Sequence, residues 1–184
     1  MAGQNSCPIT KFILAFCLLM SLVFRLTSWD ENVLASDRKE NSTATILALR
    51  YFSSFVTYTD GGIALVSSIV MLKLGFIFER QLGPKKFEGL FILNWIVSAF
   101  TNFGIETFDP SFESTFGPLP FIFSLLLFYY ACVPVTRPNI VQILSINFSE
   151  KAWIYALCLQ LSLSKGKSSL LPSFMGLLFG ALYL

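Results

Sequence analysis

The sequence predicts an all-α, polytopic membrane protein: a bundle of six membrane-crossing helices built as one domain over residues 1–184. Three observations lead there. Hydrophobic residues make up 54% of the 184 residues and charged residues 13%, about half the ~25% of an ordinary soluble domain. Phe alone occurs 20 times. Apolar runs recur along the chain, separated by connectors that hold most of the charge. The net charge of +2 is too small to imply a nucleic-acid partner, and the basic residues are scattered, so none is expected. Cys7, Cys17, Cys132 and Cys158 form no Cys-x-x-Cys pair and read as small packed hydrophobes.

The first span, 10–28, has Lys11 at one end and Arg25 at the other. Its apolar core is long for a signal peptide and no small-x-small site follows, so it reads as an uncleaved anchor. Residues 29–60 form the longest hydrophilic stretch, expected as a lumenal loop. From Thr45 the loop turns amphipathic, which suits a helix at the membrane surface. It carries Asn41-Ser42-Thr43, a glycosylation sequon.

The second span, 61–78, holds Lys73, read as snorkelling or facing protein rather than carrying an ion. It ends at Glu79-Arg80, followed by Gly83-Pro84 and Lys85-Lys86. The third span is 89–105, with Asn94 and Trp95, and an acidic loop follows it. The fourth is 117–135, broken by Arg137-Pro138, and 140–148 reads as a short apolar connector. The fifth is placed at 149–164. Its apolar part, 152–163, is about 18 Å of helix at 1.5 Å per residue, too short for ~30 Å of hydrocarbon unaided. The last span is 169–184. The positive-inside count is a draw. The basic cluster in the tight second-to-third connection favours a cytosolic N-terminus, with Asn41 lumenal and the Asn147-Phe148-Ser149 sequon unused.

Leu49-Arg50-Tyr51-Phe52, a span, and then Glu79-x-x-x-Gly83-x-x-x-Phe87 resemble the rhomboid superfamily. There an Arg anchors the first lumenal loop, a Glu near the end of the second span braces it, and a Gly follows four residues later. The resemblance implies structural roles for Arg50, Glu79 and Gly83. Leu49 replaces the family's Trp, and Pro84 stands where Ser is common. A plain alternative for Glu79 is a solvated carboxylate pairing with Lys85 or nothing.

A rhomboid protease needs Ser in Gly-x-Ser-Gly at the fourth span, His in the sixth, and His and Asn in the second. Here the first motif reads Gly117-Pro118-Leu119-Pro120. Leu119 therefore stands at the nucleophile and Ser173 at the base. Ile63 and Ser67 stand at the oxyanion positions. The chain contains no histidine, and a serine hydroxyl is a weak nucleophile without a base. Ser124 reads as a packing residue. A His-Glu-x-x-His zinc site is equally excluded, so no catalytic residue, metal or cofactor is expected.

Further patterns resemble one branch of rhomboid-like pseudoproteases, those with a C-terminal ubiquitin-associated domain, including a subunit of the fungal Dsc E3 ubiquitin ligase complex. These patterns are Gly117-Pro118 with the run to Tyr129-Tyr130, Ile146 through Leu161, and Ser169-Leu-Leu-Pro172 leading to Gly176 and Gly180. Those proteins continue beyond the sixth span, and no ubiquitin-associated domain is placed within 1–184. The resemblance implies an inactive scaffold in membrane-protein quality control. It would sit in the endoplasmic reticulum or Golgi membrane and hold membrane E3 ligase subunits and an ATPase recruiter. Gly176 and Gly180, like Ala64 and Ser68, suit helix–helix contact. The rival class is a small-solute or ion transporter or channel. Against it, Lys73 is the only clear ionisable group within the spans.

Overall fold

The computed structural model describes residues 7–26, 53–58, 60–108, 117–134, 141–143, 146–148 and 151–184. These form six helices and one short hairpin: α1 (Pro8–Leu26), α2 (Gly61–Leu82), α3 (Pro84–Phe108), α4 (Leu119–Cys132), strands β1 (Val141–Ile143) and β2 (Ile146–Phe148), α5 (Ala152–Leu163) and α6 (Lys167–Tyr183). The first loop up to residue 52, with Asn41 and Arg50, lies outside the described residues.

The break between α2 and α3 is one residue, Gly83, at φ 81. A positive φ is cheap only for glycine, and Pro84 then suits the first position of a new helix, where a missing N–H loses nothing. As a result α3 begins at Pro84 and runs to Phe108, longer at both ends than the expected 89–105 span. The fourth span is shorter than expected: Gly117-Pro118 precedes the helix, and α4 stops at Cys132.

The bundle is helical as expected, with one short addition in a connector. The connector 140–148 carries an antiparallel pair, Val141 opposite Phe148 and Ile143 opposite Ile146. A run rich in Ile and Val and too short for a helix forms strands instead. Among the described helices, Gly61–Leu82 is both long and apolar enough to cross a membrane. Pro8–Val23, Leu119–Cys132 and Ala152–Leu163 are shorter apolar stretches.

α2 touches α1, α3, α4 and α5, α4 touches α2, α3, α5 and α6, and α4 and α6 share the most extensive contact. The contacts define two ends of the bundle. At one end the start of α1 meets the end of α2. At the other, Tyr58 N–H donates to Ser21 on α1 at 2.8 Å, Gly117 N–H donates to Ser54 C=O at 2.8 Å, and Asp60 pairs with Lys165 at 3.1 Å. The core is knit by aromatic rings. Phe91 on α3 packs on Phe55 and Phe121 with centroids 5.6 and 5.1 Å apart, and Phe87 packs on Phe121 at 5.6 Å. Edge-to-face pairs of this kind add to area burial, which is one use of so many phenylalanines.

Candidate functional site

Helix α1 begins with Pro8 at its first position. Its first turn then leaves backbone N–H groups without intrahelical acceptors, and Cys7 ahead of it has no side-chain oxygen to cap them. Glu79 on α2 supplies what is missing. Its carboxylate accepts from Ile9 N–H at 3.0 Å, from Thr10 N–H at 2.8 Å and from the Thr10 hydroxyl at 2.6 Å. A negative charge at a helix N-terminus also complements the helix dipole. Close approach is possible because Gly75, one turn earlier on α2, has no side chain: a Cβ there would lie 2.5 Å from Thr10 Cγ2.

Glu79 is 4% exposed, which overturns the alternative of a solvated carboxylate beside Lys85. Its partner in the structure is the start of α1. The Arg50 position lies outside the described residues, so the Arg50–Glu79 pairing has no geometry here. Gly83 makes the α2–α3 break and its N–H donates to Glu79 C=O at 3.1 Å.

A second buried charge closes another helix end. Lys151 is 5% exposed. Its Nζ donates to Tyr129 C=O at 3.2 Å and to Val133 C=O, and lies 5.0 Å from the Tyr129 ring centroid. These carbonyls are at the end of α4, where a cation opposes the negative pole of the dipole. In the sequence Lys151 stood out only as part of the pattern Ile146 through Leu161. Its place immediately before an apolar helix was the available signal.

The four positions that the rhomboid resemblance sets against catalytic residues, Leu119, Ser173, Ile63 and Ser67, are buried or half-buried. Gly117 at φ 130 turns the chain into α4, and a Cβ on it would lie 3.3 Å from the Tyr58 ring. Leu119, at the nucleophile position, is 0% exposed and belongs to the main apolar cluster. Ser173, at the base position, is buried, and its hydroxyl donates to Ser169 C=O at 2.7 Å. That bond lies within α6 itself. Ile63 is half-buried against the core. Ser67 is fully buried, and its Oγ has no hydrogen-bond partner among the described residues. The Tyr58 hydroxyl shares that condition, and burial, with the Cys17 thiol adding, pushes its pKa well above the ordinary phenol value.

Ser124 has more polar surroundings than the sequence revealed. Its Oγ lies 2.7 Å from Asn94 Oδ1, 2.9 Å from Pro120 C=O and 3.1 Å from Gly176 C=O. Asn94 in turn donates to Leu90 C=O at 2.9 Å. One hydroxyl proton faces three carbonyl oxygens, none of which can act as a base, so the cluster ties α3, α4 and α6 together without activating the oxygen. Gly176 and Gly180 complete that contact. A Cβ on Gly176 would collide with the Pro120 main chain, and one on Gly180 would sit 3.1 Å from Ser124 Cα. No group of three or more Cys, Asp or Glu that would hold a metal occurs among the described residues.

The chain is similar to Rhomboid-like protein 18 of Arabidopsis thaliana, with 28% identity over 191 aligned residues. The alignment covers 99% of this chain and 63% of that protein, so the chain spans less than two thirds of its relative's length. No protein-family model matches the chain, and no solved structure matches it.

Proposed function

We propose that the chain is a catalytically inactive rhomboid-like membrane scaffold, serving an E3 ubiquitin ligase complex in quality control of membrane proteins at the endoplasmic reticulum or Golgi. The observation that carries the inactive half is Leu119. The position that would hold the nucleophile is an aliphatic side chain sealed in the core, and the position that would hold the base is a serine bonded within its own helix. A protein with this frame and no acid–base pair is left with binding as its work. The scaffold half rests on the sequence patterns shared with the ubiquitin-associated-domain branch.

The test is affinity purification from gently solubilised membranes, with bound proteins identified. Recovery of a RING-finger membrane ligase and an ATPase recruiter is the expected result. A stable monomer that moves a solute across liposomes overturns it in favour of a transporter.

A further inference from the structure

Lys73 lies on a face of α2 that the bundle does not use. Leu65, Ile69 and Lys73 follow one another at four-residue spacing and all are exposed, Leu65 at 69% and Ile69 at 52%. Half-buried Phe76 and exposed Arg80 continue the same stripe. The opposite face, with Val70, Met71, Leu74 and Phe78, is in the core. α2 therefore presents one narrow apolar stripe outward with a single cation inside it.

Depth decides what can satisfy that cation. Polar groups mark both ends of α2: Asp60 with Lys165 at the start, and exposed Arg80 and Gln81 at the end. Lys73 lies two turns, about 10 Å, inside Arg80, and about 18 Å from Gly61. A helical side chain leaves its Cα tilted toward the helix N-terminus, which for Lys73 is the more distant end. A lysine stem reaches only about 6 Å, so snorkelling to either interface falls short. An ammonium held at that depth calls for a carboxylate at the same level.

The described residues supply none there. Among the described residues the acids sit at helix ends. Asp60 precedes α2, Glu79 caps α1, Glu88 is near the start of α3 and Glu106 near its end. A second copy of the chain brings the same described acids at the same helix ends, so a homodimer offers Lys73 no match among them.

We propose that the stripe Leu65, Ile69, Lys73 and Phe76 docks one transmembrane helix of a different protein, which carries an Asp or Glu at the depth of Lys73. This rests on α2 crossing a membrane, as the function proposed above requires. A photoreactive amino acid placed at Ile69 in living cells, with one at exposed Phe174 on α6 as control, reads the occupant. Alkaline carbonate extraction is done first. If the protein is washed from membranes, α2 does not span and the scaffold reading fails along with the docking site.

With the protein retained, the Ile69 probe is expected to trap a membrane protein with an acidic residue inside a transmembrane helix. The adduct should be lost in Lys73→Met and kept in Lys73→Arg. It should return when Lys73→Glu is combined with a lysine in place of the partner's acid. Adducts with lipid alone, an adduct indifferent to Lys73→Met, or failure of the exchanged pair overturns the docking site and leaves the scaffold reading standing.

Discussion

Glu79 accepts three hydrogen bonds from two residues at the start of α1. Glu79→Ala strands the N–H groups of Ile9 and Thr10 in the interior, and should cost about 3 kcal/mol, since bonds to a charged acceptor are worth about 1.5–3 kcal/mol each. Glu79→Gln keeps a carbonyl oxygen and should lose about half of that. Glu88 is exposed, so Glu88→Ala should stay within about 0.5 kcal/mol. Unfolding in mild detergent ranks the three, and equal stability of the Ala variants would remove the capping role. The importance of Glu79 was legible as a carboxylate at the edge of an apolar run. Its partner was not, because the bond joins residues 69 positions apart and no periodicity connects them. Pro8 at the start of a helix without a capping oxygen was the one available clue.

At the level of helices, the α4–α6 contact is set by glycines facing main chain. Gly176→Ala drives a methyl into the Pro120 backbone, which cannot rotate away. Overpacking of this kind costs about 1–3 kcal/mol, and the loss should exceed that of Gly89→Ala, where a Cβ meets nothing. Thermal unfolding of the two variants checks it. Lys151→Met should loosen the end of α4 by removing the donor to the Tyr129 and Val133 carbonyls, and hydrogen exchange at the last turn of α4 measures that. Most helices were legible because each apolar run ends at Gly, Pro or a charge. The hairpin was not: Val141–Ile143 and Ile146–Phe148 are three residues each, below the length at which alternation distinguishes strand from connector.

For the whole molecule, the inactivity proposed above predicts silence. Purified protein should leave a transmembrane reporter uncut and should not react with serine-directed probes, whereas cleavage dependent on Ser124 or Ser173 would return the chain to the proteases. The expected cytosolic N-terminus predicts a glycosidase-sensitive mobility shift that disappears in Asn41→Gln, while modification at Asn147 instead would invert the topology. The proposal of a substituted site rests on the sequence, on the absence of histidine and on Leu119. The Ser124–Asn94–Gly176 cluster was not, because three helices must be assembled before those atoms meet.

The carboxylate that closes α1 also sets an order of events during synthesis. When α1 leaves the ribosome, Glu79 has not yet been translated, and the first turn of α1 has no acceptor until α2 is complete. A nascent chain halted between the two helices carries an open end into the lipid. The converse holds for a chain that loses residues 1–26: Glu79 is left at the end of an apolar helix without the groups it binds. Pulse-chase of such a fragment should show clearance faster than that of the same fragment bearing Glu79→Gln, and co-expression of the missing α1 as a separate peptide should slow it.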